Sequence, residues 1–534
     1  MHPRTRRSRV WSRAALDTAL LPLFLSLLVL MGCQDASREG GGVEASSDGA
    51  TLTALPDDTP QRAAGTDALT THREVVAFVD ALAAGSDRVQ RGTLGRSVEG
   101  QEIPYLRISL GEFGADRENR TMAMVFAMQH GNEHSGLEGT LEMALELARG
   151  DHDDLLEHVD LLVVPSVNPD GSDRYERRNA EDVDLNRSHL ILDGVEVELL
   201  RELFHRWEPE VTLDIHEYFP WSGTWLDRGW IRLFDLQIGL ATNLNTDPGI
   251  QALAEEGFLP RAMATLEEAG FTSHNYIVGS PDGLRWSTTN INDGRQGFAI
   301  LHTLSFIYEG RRERESGERI RHRAEAQRLG IETFLRFLAH EGERVRATVR
   351  NARQRAERGE IREVVLTMGR AHGDGPLVIP VEQAERRDGE WVVVDTVQVA
   401  IDAFRPVVTR GRVAELPQAY LIPAAEGEVA ALLRRHRVEM EELAPGTELQ
   451  VERLRIEGFT TEELENPTRI PDVSRTVQTH RTEPGDVLVP TAQLRGLLVA
   501  TALEPESMHG LWRYDAFSHL GEEGEVPILR VLGR

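Results

Sequence analysis

The sequence predicts an α/β fold, a mixed and mostly parallel sheet flanked by helices, followed by a C-terminal α+β accessory domain. Apolar runs suited to buried strands alternate with segments of helical periodicity through much of the chain. Polar residues gather where those runs end, at the edge where parallel sheets usually carry their chemistry. Beyond residue 362 the pattern changes to short strands interrupted by Pro and Gly.

The elements are predicted in a fixed order along the chain. A helix covers residues 71–85, and a strand-like stretch leads into residues 96–100. The sheet region then has strands at 121–128, 159–167, 211–215 and 304–308, and helices at 133–149 and 195–207. Residues 319–355 form long helical segments. The last part has strands at 391–401, 419–422 and 449–456 and a helix at 427–436.

The composition limits the kind of protein this can be. The chain has 534 residues, with 59 basic and 87 acidic side chains and a formal charge of −28, a length that usually means two or three domains. So acidic a surface would repel the phosphate backbone of nucleic acids. The single cysteine excludes an internal disulfide and a thiolate-rich metal cluster, so a metal would need His, Asp or Glu ligands.

The N-terminus is predicted to be a lipoprotein signal peptide, residues 1–32. Five arginines precede the apolar run 19–31, which is shorter than the ~20 residues that span a bilayer. The run ends in Leu30-Met31-Gly32-Cys33, which resembles a bacterial lipobox in which the cysteine is lipidated. An ordinary secretory signal with an incidental Cys33 is the alternative. Residues 33–66 are expected to be a flexible tether, and the protein is expected to be exported and lipid-anchored on the periplasmic side of the outer membrane.

The most informative residues begin where the first buried strand ends. His130 and Glu133 stand three residues apart at this strand-to-loop junction, where both could bind one ion. His216, at the end of another predicted strand, supplies a third ligand. A fourth position stays open for water or substrate, as a catalytic zinc requires.

Two further features indicate what such a metal would act on. The segment 177–187 contains arginines and an asparagine, which suit a substrate carboxylate and a developing oxyanion better than a dication. A solvated polar loop is the alternative interpretation. Glu309 follows the apolar strand 304–308 and could activate water as a general base.

Together these residues resemble the zinc metallocarboxypeptidase family of carboxypeptidase A. The resemblance covers roughly residues 70–340. In chain order the matching features are Gly95-Arg96-Ser97-Val98-Glu99-Gly100, His130-x-x-Glu133, Asn168-Pro169-Asp170-Gly171, Arg177-x-Asn179 through Asp184-x-Asn186-Arg187, His216 and Glu309.

The resemblance implies one Zn²⁺ per chain. His130, Glu133 and His216 would bind it, and Asp184 would hydrogen-bond the far nitrogen of His130. The implied activity is hydrolysis of the C-terminal peptide bond of a peptide, through a zinc-activated water.

The resemblance also implies how the other residues take part. Arg177 would stabilise the oxyanion, and Glu309 would pass the proton of the attacking water to the leaving amine. Asn186 and Arg187 would hold the free C-terminal carboxylate of the peptide.

The sequence departs from the family pattern at three places. Glu217 stands where a small residue is usual, and it could hydrogen-bond near the metal, favour a cationic substrate or point to solvent. The substrate-capping tyrosine is not clearly placed; Tyr276 is the nearest candidate, in a long stretch that includes an insertion-like segment, 218–260. Arg295 is either an additional substrate contact or a surface arginine. Several other histidines lack ligand spacing and are expected to be ordinary polar residues: His134, His189, His205, His274 and His302.

The chain is expected to divide into a catalytic domain at 67–340, a connecting helix at 341–362 and an accessory α+β domain at 363–534. The accessory domain carries no metal-spaced cluster in its sequence and could be a structural cap or a substrate-recognition surface.

Three functions are compatible with this sequence. The first is a metallocarboxypeptidase acting on ordinary peptides. The second applies the same chemistry to cell-wall peptides that end in a D-amino acid or diaminopimelate. The third is a catalytically silent peptide-binding relative, against which the combination of three ligands with Arg177 and Glu309 argues.

Overall fold

The computed structural model describes residues 53–65 and 67–533. The predicted signal peptide, the predicted lipidation site Cys33 and the first part of the predicted tether lie outside these residues. None of the helices in the described ranges combines the length and the apolar character needed to cross a bilayer.

An eight-stranded sheet forms the centre of the fold. Four of its neighbouring pairs are parallel and three are antiparallel, which confirms the prediction of a mixed, mostly parallel sheet. The two strands that carry most of its middle are buried along their whole length, because helices cover both faces. In spatial order the strands are Val89–Arg96, Glu102–Ile108, Val159–Val164, Thr121–Ala127, Val211–Tyr218, Leu304–Arg311, Leu236–Leu240 and Ser273–Asn275.

The helices around the sheet begin and end at recognisable signals. The first long helix starts in a capping box between Thr71 and Glu74, and the helix His134–Arg149 ends at Gly150 in a left-handed conformation. Gly139 lets this second helix approach the longest one, since a Cβ there would lie 2.7 Å from the carbonyl oxygen of Ala324. The helices of this part of the chain are Pro60–Ala64, His72–Gly85, His134–Arg149, Asp153–Leu156, Pro169–Arg174, Leu185–Arg187, Val195–Trp207, Gly223–Asp227, Pro248–Ala252, Leu253–Phe258, Leu259–Glu268, Gly294–Ala299 and Ile320–Glu357.

Part of the predicted tether belongs to the fold. Residues 53–65 pack against the sheet region: Arg62 forms an ion pair with Glu142 at 2.7 Å, and the amide of Thr53 donates to the carbonyl of Ala84 at 3.0 Å. The segment was expected to be flexible because it lacks apolar periodicity, but these polar contacts hold it instead.

The C-terminal region is rich in β-structure, as predicted. Its largest sheet has Glu441–Glu442, Val487–Pro490, Ala419–Ile422, Leu529–Gly533, Glu448–Glu463 and Pro467–Arg481 in spatial order, with Gly524–Glu525 beside Glu448–Glu463. Smaller sheets pair Glu363–Val365 with Val413–Glu415, Met368–Ala371 with Val407–Arg410, and Ile277–Ser280 with Gly283–Trp286. Its helices are Ala424–Glu426, Gly427–Arg435, Gly496–Leu503, Leu511–Arg513 and Asp515–Gly521.

The C-terminal region is joined closely to the sheet region. The hairpin of Leu377–Arg387 and Glu390–Ile401 pairs with Trp230–Arg232, a strand of the segment predicted to be insertion-like. That segment also supplies Leu236–Leu240 to the central sheet, so it is only partly an insertion. The predicted connecting helix is the second half of the continuous helix Ile320–Glu357, whose residues Val345, Val349 and Ala352 are buried.

Candidate metal centre and active site

The predicted third ligand and the predicted base lie side by side on neighbouring parallel strands. Val211–Tyr218 carries His216, Leu304–Arg311 carries Glu309, and these two residues are paired in register. Both strands are longer than predicted, so His216 and Glu309 lie within them and not beyond their ends. The register therefore brings the imidazole and the carboxylate to one edge of the sheet.

The loop that carries His130 and Glu133 is shaped by a close backbone contact. Asn168 caps the short helix Pro169–Arg174 by accepting a hydrogen bond from the amide of Gly171 at 2.9 Å. A Cβ on Gly131 would lie 2.1 Å from the backbone carbon of Gly171, so only glycine fits between the two loops. The Gly95–Gly100 motif is held here as well, because the hydroxyl of Ser97 donates to Asp170 at 2.7 Å.

The three predicted metal ligands converge on one point. Nδ1 of His130 lies 3.0 Å from Nδ1 of His216. Glu133 reaches both rings, with Oε1 2.9 Å from Nδ1 of His130 and Oε2 2.8 Å from Nδ1 of His216. All three side chains are buried. In the part of the chain that the structure describes, this is the one group of His, Cys, Asp or Glu side chains with geometry suited to a metal ion.

Carboxylates on the far side of each ring fix its orientation. Asp184, as predicted by the resemblance, lies with Oδ1 3.0 Å from Nε2 of His130. Asp214, which the sequence analysis did not single out, lies with Oδ1 2.8 Å from Nε2 of His216. Its position two residues before His216 in a strand was the available signal, since residues at this spacing share a face. With each Nε2 facing a carboxylate, each Nδ1 is left as the ligand atom.

The charges around this cluster favour a cation. Burial alone would raise the pKa of Glu133, but the two histidines hold it well below its usual range. Burial alone would lower the pKa of His216, but Asp214 and Glu133 raise it well above its ordinary value. Burial would likewise raise the pKa of Asp184, which the hydrogen bond from His130 and the charge of Arg177 lower instead.

The donor set fits a zinc ion. Two imidazole nitrogens and one carboxylate, each aligned by an outer hydrogen-bond partner, are the three protein ligands of a catalytic zinc site. The structure carries two such nitrogens 3.0 Å apart beside Glu133, a placement that a positive charge between them would stabilise.

One cavity of about 250 Å³ contains the predicted site. Every residue predicted from the sequence to bind the metal, act in catalysis or contact the substrate lines it. These residues are His130, Glu133, Arg177, Asn186, Arg187, His216-neighbour Glu217, Tyr276, Arg295 and Glu309; His216 itself reaches the cavity through its contact with Glu133.

Arg177 and Arg187 lie at different depths of this cavity wall. Nη1 of Arg177 lies 3.1 Å from Nδ1 of His130 and 3.4 Å from Oε1 of Glu133, while its Nε donates to Asp184 at 3.1 Å. Arg187 is exposed, and its Nη1 donates to the carbonyl of Asn186 at 2.5 Å. The first guanidinium is thus beside the metal ligands, and the second is available at the rim.

Asn186 is held by the protein on both sides of its amide. Its oxygen accepts from the amide of Gly294 at 2.7 Å, and its Nδ2 lies 3.1 Å from Nε2 of His216. It lies in the cavity wall, where these contacts position it next to the His216 ring.

Glu309 is connected to the candidate capping tyrosine. The hydroxyl of Tyr276 hydrogen-bonds its carboxylate. Burial and the nearby Glu133 raise the pKa of Glu309, while the charge of His216 opposes them. Burial and Glu309 also raise the pKa of Tyr276 above its usual range. Glu309 is therefore a carboxylate whose environment strengthens it as a base.

Glu217 forms a buried ion pair that the sequence did not reveal. Its Oε1 accepts from Nη2 of Arg323 at 2.6 Å, and both side chains are almost fully buried. Its amide donates to Oε2 of Glu133 at 3.0 Å. The expectation that it points to solvent is wrong, and a role in attracting a cationic substrate is disfavoured because Arg323 already neutralises it.

Arg295 and the other histidines are also placed by the structure. Arg295 is 1% exposed, so the interpretation as a surface arginine is wrong. His189 hydrogen-bonds Gln129, which in turn donates to Asp214 at 2.8 Å, so it belongs to the network behind the ligands. The remaining histidines with no predicted ligand role lie outside the metal cluster: His134, His205, His274 and His302.

Comparison with known proteins agrees with this geometry. Residues 75–212 match the family model described as zinc carboxypeptidase. The chain is 27% identical over 448 residues to carboxypeptidase 2 of Trichophyton rubrum, covering 80% of this chain and 79% of that protein. It is 26% identical over 460 residues to carboxypeptidase 2 of Trichophyton tonsurans, covering 82% and 81%. These matches confirm the resemblance to zinc carboxypeptidases and the prediction of a peptide hydrolase.

Solved structures with partial similarity carry the same description. A metallo-carboxypeptidase from Burkholderia cenocepacia is 19% identical, with a TM-score of 0.40, over 51% of this chain and 70% of that chain. A metallo-carboxypeptidase from Pseudomonas aeruginosa, in complex with (2-guanidinoethylmercapto)succinic acid, is 25% identical, with a TM-score of 0.40, over 51% and 69%.

Proposed function

We propose that this protein is a zinc-dependent metallocarboxypeptidase that removes the C-terminal residue of peptides with a free carboxylate. The observation that carries the proposal is the convergence of His130, Glu133 and His216 in the same cavity as Glu309 and the arginines. The family model ends at residue 212, so the assignment of His216 and Glu309 rests on this geometry.

The residues that would hold the metal are already oriented for it. Zinc bound by His130, Glu133 and His216 would supply a Lewis acid that polarises the scissile carbonyl and makes water a stronger acid. Asp184 and Asp214 hold the two imidazole rings so that Nδ1 of each faces the ligand position.

Glu309 moves the proton in the proposed reaction. Its raised pKa and its place in the cavity wall suit a base that removes a proton from the attacking water. The same carboxyl then gives that proton to the nitrogen of the leaving amine as the peptide bond breaks. Tyr276, hydrogen-bonded to this carboxylate, positions it.

Arginines hold the two oxygen charges that the reaction involves. Arg177, beside the metal ligands, stabilises the oxyanion that forms at the scissile carbonyl. Arg187, at the exposed rim, pairs with the C-terminal carboxylate and thereby selects a free chain end over an internal bond.

The base can be tested separately from the metal site. In Glu309→Gln the metal ligands remain, so we expect about one zinc per chain and a loss of peptide hydrolysis of at least about 100-fold. Metal content by mass spectrometry and a peptide assay give the two readouts. Glu138→Gln, a change at a buried glutamate that does not line the cavity, is the matched control and should retain activity.

Three results would argue against the proposal. Full activity in Glu309→Gln would remove the general base. Absence of bound zinc in the wild-type protein would remove the metal. Binding of zinc without hydrolysis of any ordinary peptide would favour the cell-wall substrate, which hydrolysis of muropeptides would then establish.

We also propose that the chain is exported and anchored through a lipid on Cys33. The sequence Leu30-Met31-Gly32-Cys33 supports this. The wild-type protein should enter the detergent phase of a membrane extract, and Cys33→Ser should not. Equal partition of both proteins would contradict the anchor.

A further inference from the structure

The guanidinium of Arg295 is buried in the cavity wall with part of its hydrogen-bonding capacity unused. It is contributed by the short helix Gly294–Ala299 and is 1% exposed. Its Nη2 donates to the hydroxyl of Thr288 at 3.2 Å and to Asp293 at 3.3 Å. Among the residues that the structure describes, Nε and Nη1 have no hydrogen-bond partner.

The one acidic neighbour of Arg295 is largely engaged elsewhere. Oδ1 of Asp293 accepts from the amide of Gln296 at 2.8 Å, and Oδ2 accepts from the hydroxyl of Thr288 at 2.6 Å. The contact with Arg295 is the longest of the three. An arginine cannot lose its proton in a protein, so a buried guanidinium with two unpaired nitrogens is costly without a further anionic partner.

Another buried arginine near the site shows the contrast. Arg323 contacts Glu217 through Nε and Nη2, and its Nη1 donates to the carbonyls of Ser316 and Glu318. Each of its nitrogens therefore has a partner inside the protein. Arg295 lacks this complement and lines the cavity, so its missing partner would come from a ligand.

Arg295 lies next to the residues that surround the scissile bond in the proposed function. Its guanidinium carbon is 5.8 Å from the centre of the Tyr276 ring, which is hydrogen-bonded to Glu309. Gly239 leaves room for it, since a Cβ there would lie 2.7 Å from Nη1. Arg295 is thus in the interior of the cavity, whereas Arg187 is at its exposed rim.

We propose that Arg295 binds a carboxylate on the side chain of the substrate's C-terminal residue, so that the enzyme prefers peptides ending in glutamate or aspartate. The inference rests on the proposed function, in which Arg187 already holds the terminal carboxylate. A C-terminal acidic residue brings two carboxylates, and the cavity offers one arginine for each. A bidentate ion pair through Nε and Nη1 would satisfy both unpaired nitrogens.

Peptides that differ only in the charge of the last residue test this preference. We would compare kcat/KM for two otherwise identical peptides ending in Glu and in Gln. The wild-type enzyme should favour the Glu peptide by about ten- to a hundredfold, the value of a charge-assisted hydrogen bond. In Arg295→Met the ratio should fall to about one or below. Arg295→Lys keeps the charge and should retain part of the preference.

Arg312→Met is the matched control. Arg312 also lines the cavity, but it stacks on Phe219 at 4.9 Å and donates to the carbonyl of Asn132. Its removal should leave the Glu-to-Gln ratio unchanged. The ratio is measured within each protein, so a general loss of activity in one variant does not alter the comparison.

The outcomes separate this inference from the proposed function. If the wild-type protein cleaves neither peptide nor any other ordinary peptide, the proposed function fails and the inference with it. If it cleaves both peptides equally well, the function stands and the preference is wrong. If Arg295→Met slows both peptides by the same factor, Arg295 binds the common terminal carboxylate or supports the fold, and the inference is again wrong. If Arg295→Met does not fold, the wild-type ratio and Arg295→Lys still decide.

Discussion

Asp184 determines which nitrogen of His130 faces the metal position. Its Oδ1 lies 3.0 Å from Nε2 of that ring. Asp184→Asn removes the charge that aligns the imidazole, so we expect zinc affinity to fall by about 10- to 100-fold while excess zinc restores most of the metal loading. Competition with a chelator measures this.

The neighbouring aspartate provides the control for that change. Asp182 has a side chain that is 91% exposed and is paired only loosely with Arg178, at 3.6 Å. Asp182→Asn should leave zinc affinity unaltered. Equal affinities in the two variants would show that Asp184 does not support the site.

Glu138 makes the stability of the fold depend on pH. Burial raises its pKa from 4.5 to about 7, although Thr70 donates to its carboxylate through both its amide and its hydroxyl. The folded chain keeps this proton at pH values where the unfolded chain has lost it. The free energy of unfolding should therefore fall as the pH rises from about 4.5 to about 7, by roughly 3 kcal/mol from this group.

Glu138→Gln should remove this contribution. The amide can preserve both hydrogen bonds with Thr70 without a charge, so the variant should be more stable than the wild type at pH 8 and similar to it at pH 4. Urea unfolding at the two pH values measures the difference. A constant difference at both would show that Glu138 does not titrate in this range.

At the scale of single residues, the sequence could predict the ligands but not their partners. His130, Glu133 and His216 follow from residue type and their position at strand ends, and the motif order predicts Arg177 and Asp184. The ion pair of Glu217 with Arg323 joins residues that are 106 positions apart. Nothing in local periodicity indicates such a pairing, because it exists only after the long helix packs on the sheet.

Among the elements, the loop around Gly131 has the least room for change. A Cβ at this position would lie 2.1 Å from the backbone carbon of Gly171 and 2.4 Å from the amide of Ser172. Gly131→Ala must therefore push two loops apart, one of which carries His130 and Glu133. We expect a loss of at least about 2 kcal/mol in stability together with weaker zinc binding.

A glycine with free space around it controls for the substitution itself. At Gly427, the first residue of a helix, a Cβ would meet nothing within 4 Å. Gly427→Ala should leave the melting temperature and the zinc content unchanged. A similar result for Gly131→Ala would mean that the two loops are not in tight contact.

The elements themselves were predicted well where apolar runs are long. The helix Val195–Trp207 and the strand Ala419–Ile422 have the predicted bounds. The strands that carry His216 and Glu309 were predicted too short, because charged residues at their ends were interpreted as loop. These polar side chains are buried in strands since a network of ligands and ion pairs satisfies them, which the pattern of hydrophobicity cannot show.

At the scale of the whole molecule, the C-terminal region completes a hydrophobic core of the sheet region. Phe204 and Leu203 of the helix Val195–Trp207 lie in one buried cluster with Val364, Leu433 and Leu498. Buried His436 also hydrogen-bonds the carbonyl of Leu190 at 2.7 Å. The two regions were expected to be separate domains, and their shared core makes them interdependent in stability.

A truncated chain tests this dependence. Ending the protein at residue 362 would expose the apolar side chains of the shared core, each at a cost of about 1.5–3 kcal/mol. We expect the truncated chain to be insoluble or to lack cooperative unfolding, and the separately produced region 363–534 to restore solubility when both are made together. Cooperative unfolding of the truncated chain at the wild-type temperature would contradict this.

The central claim concerns the end of the peptide that is cut. The most direct measurement is mass spectrometry of two identical peptides, one with a free C-terminal carboxylate and one with a C-terminal amide, after incubation with the purified protein and zinc. We predict that the free peptide is shortened by its last residue, that the amide stays intact, and that a chelator stops the reaction, since Arg187 requires a terminal charge. Cleavage of both peptides at an internal bond would contradict the account.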